Sequence, residues 1–306
     1  MSNHKTVLIG GGTGMIGTRL SQMLSNSGYE VLHLSRTKDL NATFPQFEWD
    51  LQKGTINEAA VERAEYVINL AGAGIADGRW TDERKRVIIE SRTKSNELLL
   101  KTFQKLGKKP KAYVSSAGSG IYGDTGEKLM KETDPPGEGF IPKSCIQWEN
   151  SIKEVATTGV RTVAMRMGIV LSTRGGALER FLQPLNFFAA AYFGDGQQWY
   201  SWIHIDDACR MFQYALENEH LEGFYNAVAP NPVRNKEFTA AIVEASGKPV
   251  LTLPAPEFAL RLVFGEMADT ILNSNKISCE KIQKAGFEFQ YPALQQALQD
   301  LLERKI

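Results

Sequence analysis

Short runs in which nearly every position is apolar alternate, through the first half of the chain, with longer runs in which apolar positions recur every three or four residues. Val7-Leu8-Ile9 is the first apolar run, and it breaks into Gly10-Gly11-Gly12. Behind it Ile16, Leu20, Met23 and Leu24 share one face of a predicted helix, which Gly28 stops. Val31-Leu32-His33-Leu34 predicts a second strand, Phe47-Glu48-Trp49 a third, residues 66–70 a fourth, residues 112–115 a fifth and residues 162–166 a sixth. One long helix is predicted over 81–106, opening at Thr81. Strands alternating with helices argue for parallel βαβ units, and right-handed crossovers then give an α/β fold with a doubly wound parallel sheet. Such sheets place ligands off the carboxyl ends of their strands.

The second half is less regular. Gly175-Gly176 and Gly194-Asp195-Gly196 mark turns, 206–218 and 235–245 read as helices, Pro249, Pro254 and Pro256 read as a linker, and 293–304 as a final helix. The expected organisation is a dinucleotide-binding domain over 1–170, its sheet completed by residues 200–230, followed by a smaller C-terminal α/β lobe over 171–306.

Composition narrows the partners. The chain has 306 residues, 42% hydrophobic and 23% charged, enough to build a packed core. Lys+Arg and Asp+Glu both number 35, so the net charge is +0 and the basic surplus of a nucleic-acid-binding protein is absent. Cys145, Cys209 and Cys279 are widely spaced, as are His4, His33, His204 and His220, which gives no metal-ligand spacing and no disulfide framework. No signal-peptide core or spanning apolar stretch is evident. The expectation is a soluble cytoplasmic protein, monomer or dimer, with a small-molecule substrate, no metal, and neither nucleic-acid nor membrane partners.

The strongest motif is the glycine-rich turn between the first strand and its helix, which contains Gly11, Thr13, Gly14, Met15, Ile16 and Gly17. Glycines there let the backbone approach a pyrophosphate, and a helix N-terminus offers free N–H donors and partial positive charge. An NAD site carries a carboxylate at the end of the second strand for the ribose 2′-hydroxyl. Here that strand ends in Ser35-Arg36, and a guanidinium suits a 2′-phosphate, so NADP(H) is expected. Asp50 would lie near the adenine, and Leu70-Ala71-Gly72 would pass under the ribose.

Gly11–Gly17, Leu70-Ala71-Gly72 and Ile121-Tyr122-Gly123-Asp124 resemble an extended short-chain dehydrogenase/reductase, and more narrowly its atypical "epimerase family" branch of nucleoside-diphosphate-sugar epimerase-like proteins. Arg79-Trp80-Thr81, Trp148-Glu149, residues 202–207, 226–232 and 264–267 extend the likeness nearly end to end. The resemblance implies a Rossmann domain with a small C-terminal domain, NADP(H) as cofactor, and cofactor contacts at Ser35, Arg36, Leu70, Ala71, Arg92 and Val170.

Members of the wider superfamily use a Tyr-x-x-x-Lys pair, in which the lysine lowers the tyrosine pKa. Counting back from Glu149 puts Cys145 at the lysine position and Ile141 at the tyrosine position; neither can take those roles. The superfamily serine falls on Ala117. Ser116 and Tyr122 are then the candidate catalytic hydroxyls. His204 is a candidate acid/base, weighed against capping a helix with Asp206. Trp199 and Trp202 are candidate pocket walls, and residues 134–139 a loop over the site. Two functions stand: an NADP(H)-dependent oxidoreductase or epimerase on an unknown small or nucleotide-sugar-like substrate, and a non-catalytic NADP(H)-binding regulatory protein.

Overall fold

The computed structural model describes residues 5–304; His4 and the two extreme ends of the chain lie outside the described residues. Eight strands form the central sheet: β1 (Thr6–Gly10), β2 (Glu30–Ser35), β3 (Gln46–Asp50), β4 (Thr55–Ile56), β5 (Tyr66–Asn69), β6 (Ala112–Gly118), β7 (Thr162–Met167) and, after four strands outside this sheet, β12 (Gly223–Ala227). Those four are β8 (Ile169–Leu171), β9 (Ala189–Phe193), β10 (Trp199–Tyr200) and β11 (Trp202–His204). The order across the sheet is β12-β7-β6-β5-β1-β2-β3-β4, all parallel except the last pair. The strand order reverses between β1 and β5, which makes the gap above β1 the topological switch point.

Alternation along each strand explains the two helical layers. Val7, Ile9, Val31, Ile68 and Val114 join the cluster on one face, whereas Leu8, Leu32, Val67 and Tyr113 join that on the other. Buried on both faces, these strands are largely apolar, with His33, Ser115 and Ser116 among the buried polar exceptions. α1 (Met15–Asn26) and α6 (Ile205–Glu217) cover the first face. α2 (Glu58–Arg63) and α3 (Asp82–Leu106) cover the second, with α4 (Phe140–Ala156) packed on α3. α3 starts where its cap dictates: Thr81 Oγ accepts from Arg84 N at 3.1 Å, Asp82 and Glu83 fill the first turn, and Gly107 ends it at φ 61.

The C-terminal lobe contains α5 (Gly176–Leu182), β9, β10, β13 (Val233–Arg234), α7 (Asn235–Ser246), β14 (Leu251–Ala255), α8 (Glu257–Phe264) and α9 (Asp269–Leu272). The supposed linker around Pro254 is instead a strand: Leu251–Ala255 pairs in parallel with Ala189–Phe193, and the proline sits where its missing N–H faces the free edge of a two-stranded sheet. The chain passes repeatedly between the lobes. It leaves the sheet after β7, returns for β12, departs again, and comes back along 274–278, where Ser274 O accepts from Thr125 N and Met130 O from Ser278 N. α10 (Glu280–Lys284) and α11 (Leu294–Arg304) close the fold, α10 against β12 and α11 against α7.

Candidate functional site

The turn after β1 is shaped by its surroundings. Gly11 holds φ 76, and a Cβ there would meet the Leu70 backbone at 2.9 Å. A Cβ on Gly12 would enter the His33 ring, and one on Gly17 would enter the backbone of Gly11 and Gly12. Gly14 differs: its φ is ordinary, and a Cβ would touch only Gly11 O at 3.3 Å. Gly14 is the N-cap of α1, with no side-chain capping bond and no acidic residue in the first turn. The first N–H groups of α1 therefore have no partner inside the helix and face outward over glycine. This is a cradle for an anion.

The other expected cofactor residues surround it. Ser35 and Arg36 stand at the carboxyl end of β2; Arg36 is exposed and, among the described residues, makes no ion pair. Asp50 ends β3 and accepts from Gln52 N at 2.8 Å and Lys53 N at 3.0 Å, and those two bonds hold its carboxyl below the usual range. Leu70 N donates to Gly10 O at 2.8 Å, and Ala71 N to Asn69 Oδ1 at 3.1 Å, so the segment Leu70–Gly72 lies directly beside the glycine turn. Val170 is buried in β8. Arg92 is 8% exposed under Gly72, donates Nη1 to Ile88 O at 2.8 Å, and lies 4.9 Å above the Trp148 ring. Burial depresses its pKa, and no carboxylate among the described residues pairs with it. A buried cation without a counter-ion is costly and marks a place for an anion.

A cavity of about 1080 Å³ opens from Gly14, Met15 and Arg92 into the C-terminal lobe. Its far walls come from β9, α7 and the segment 264–271, with the exposed loop Gly74–Asp77 at its side. That loop is tied across the cleft: Arg180 Nη2 donates to Ala76 O at 3.0 Å, and Arg79 donates to the Leu262 and Val263 carbonyls at the end of α8.

The catalytic candidates lie elsewhere. Tyr122 is 2% exposed; its hydroxyl donates to Asn226 Oδ1 at 2.7 Å and accepts from Arg166 Nη1 at 2.7 Å. Arg166 in turn forms a bidentate pair with Glu149, at 2.7 and 3.0 Å. Tyr122 is thus an interior strut rather than a phenol facing the cleft, and burial raises its pKa. Ser116 is buried in β6 and donates to Asn69 O at 3.2 Å. Neither lines the cavity. Ile141 and Cys145, one turn apart on α4, face Gly120 and Gly118 at the end of β6. Burial pushes the Cys145 thiol up to about 12, which removes it from acid/base work near neutrality.

His204 is the N-cap of α6, as the capping reading has it: its Nδ1 accepts from Asp206 N at 3.0 Å, while the Asp206 carboxylate binds Arg19 and Arg304 instead of capping. The imidazole stacks on Tyr291 at 3.9 Å and does not line the cavity, and burial lowers its pKa. Trp202 is fully buried and Trp199 is sandwiched between Arg234 and Lys276, so neither walls the cavity; nor do residues 134–139. The cavity residues of β9 and α7 escaped sequence reading because nothing in their pattern sets them apart from core.

Fold and cradle together define a two-lobed, Rossmann-type dinucleotide-binding protein of the extended short-chain dehydrogenase/reductase kind. The chain belongs to the NAD dependent epimerase/dehydratase family, which it matches over residues 7–227; residues 255–301 match a domain of unknown function, DUF1731. It is 36% identical over 297 residues to the epimerase family protein YfhF of Bacillus subtilis, covering 95% of this chain and 96% of that one. The human epimerase family protein SDR39U1, solved with NADPH, is 30% identical with a TM-score of 0.87, covering 97% and 99% of the two chains. A UDP-glucose 4-epimerase from Thermus thermophilus, complexed with NAD, shares the fold at 22% identity and a TM-score of 0.76, covering 98% and 100%. Among the described residues no helix is long and apolar enough to cross a membrane.

Proposed function

We propose that this protein is an NADP(H)-dependent oxidoreductase or epimerase acting on a small molecule. The observation that carries the reading is the capless N-terminus of α1, set over Gly14 at the head of the cavity. Its donors suit the pyrophosphate. Arg36, exposed and unpaired among the described residues, suits the 2′-phosphate bidentately where a carboxylate would repel it. The human relative solved with NADPH supports the same choice. When bound, the nicotinamide would supply or accept a hydride. The chain's own part is to hold the phosphates, place Arg92 under the cofactor segment Leu70–Gly72, and keep water from the apolar cavity. Titration by calorimetry tests the reading. The parent should bind NADPH more tightly than NADH, and Arg36→Ala should weaken NADPH by roughly 10- to 150-fold, the scale of one charge-assisted hydrogen bond. Equal affinities for the two cofactors in the parent would refute it.

A second reading, a non-catalytic NADP(H)-binding protein, is favoured by one observation: the one-turn pair on α4 is isoleucine and a thiol held up near 12. NADPH oxidation against a panel of carbonyl compounds separates the two. Turnover sensitive to Ser116→Ala supports a hydroxyl-assisted enzyme. Tight NADPH binding without turnover on any substrate supports the regulatory reading.

A further inference from the structure

The fold neighbours that act on UDP-sugars raise the question of what this cavity would recognise. A nucleotide sugar presents a uracil edge, two phosphates and several hydroxyls, and a buried site must offer a partner for each. The inner half of this cavity does not. Its walls are Ala190 and Phe193 from β9, Ile242 and Val243 from α7, and Met267 and Ile271 from the last stretch of the lobe. Three hydroxyls do reach it, but all are engaged with backbone carbonyls: Tyr200 with Ile271 O at 2.8 Å, Thr270 with Met267 O at 2.7 Å, and Thr239 with Ala191 O at 3.4 Å. Their donors are spent inside the protein, so the walls here are mostly apolar and offer a ligand no free hydroxyl donor. Behind the wall, Phe181, Phe193, Phe238 and Tyr200 interlock with ring centroids 5.2–5.7 Å apart, which fixes its shape.

The charged lining residues are Asp77, Arg92, Glu179 and Arg180, contributed by the loop Gly74–Asp77, α3 and α5. Asp77 is paired with Arg84 at 3.2 Å. Arg92 and Arg180 have no carboxylate partner among the described residues. Polar recognition is therefore gathered on the side of the cofactor cradle, and the depth of the cavity is apolar.

Resting on the NADP(H) reading above, we infer that the substrate of this site is an apolar carbonyl compound or its alcohol, with its oxygen toward the cradle and an extended hydrocarbon or aromatic body in the C-terminal lobe. A nucleoside-diphosphate sugar does not match these walls. Burying each methylene in such a wall favours binding about fourfold.

The test uses the full chain saturated with NADP⁺, titrated calorimetrically with 2-butanone, 2-hexanone, 2-octanone, 2-decanone and, separately, UDP-glucose. The expected result is affinity rising by about an order of magnitude per added pair of methylenes, with UDP-glucose weaker than the longest ketone. Ala191→Phe, which fills the cavity from β9, should weaken 2-decanone at least tenfold and leave NADPH affinity unchanged. Val243→Thr keeps the volume and adds a hydroxyl, and should weaken it several-fold; it serves should the larger side chain disturb folding. Affinity flat with chain length, or UDP-glucose bound more tightly than 2-decanone, would overturn the inference. NADPH titration of the same protein keeps the two readings apart: ketones binding without NADPH refutes the cofactor, and NADPH binding with a flat ketone series refutes the apolar site.

Discussion

Replacing Gly14 by valine separates binding from folding. The residue holds φ −75 and ψ 174, extended backbone that a β-branched residue adopts readily, and the added Cβ would meet a single atom, Gly11 O, at 3.3 Å. The fold should lose no more than about 1 kcal/mol, the scale of exchanging a good N-cap for a poor one. The new methyls, however, stand at the cavity face of the α1 N-terminus, where a phosphate must approach the first N–H groups. Losing one charge-assisted hydrogen bond costs about 1.5–3 kcal/mol, so NADPH should bind roughly 10- to 150-fold more weakly. Gly17→Ala is the contrasting control. Its Cβ would enter the backbone of Gly11 and Gly12, so α1 must move off the turn at a cost of about 1–3 kcal/mol to the fold itself. Calorimetric titration with NADPH and urea unfolding, run on both variants, give the two numbers. Gly14→Val with native affinity would refute the assignment of this helix end to the phosphates. Gly17→Ala with native stability would refute the packing argument behind it.

Tyr122→Phe should lower stability by about 1–3 kcal/mol, because Arg166 Nη1 and Asn226 Oδ1 lose a buried partner; urea unfolding checks this, and unchanged stability with lost turnover would restore the tyrosine to catalysis. Stability should fall as pH drops from about 6.5 toward 4, because burial holds His33 at about 4: the unfolded chain takes up its proton first, so the native state loses up to about 3 kcal/mol across that window and nothing above it. Thermal melts of the parent and of His33→Gln against pH check this, and an identical acid slope in the two would exclude His33 as its source.

The sheet was legible because each strand has to satisfy two covered faces, which leaves an apolar run bracketed by turns, and because Thr81 and the glycine turn announce their helices. The lobe was not. Its strand Leu251–Ala255 contains a proline and finds its partner some sixty residues earlier, and parallel pairing at that range leaves no local signature. The cradle could be read because its residues are contiguous. The cavity could not, because its walls come from separate segments whose side chains look like any core. The partners of Tyr122 were hidden for a related reason: the arginine that binds its hydroxyl lies 44 residues on, in β7.

The repeated passage of the chain between the two lobes constrains how the cleft can open. A pair of lobes joined by one connection can swing on a single hinge; here the connections after β7, on either side of β12 and along 274–278 would have to bend together, and the last is clamped to Thr125 and Met130. Swinging the lobes apart is thereby expensive. The ties at the edge are weaker: the loop Gly74–Asp77 and the neighbouring Arg79 reach the C-terminal lobe through exposed arginine-to-carbonyl bonds that water can replace one at a time.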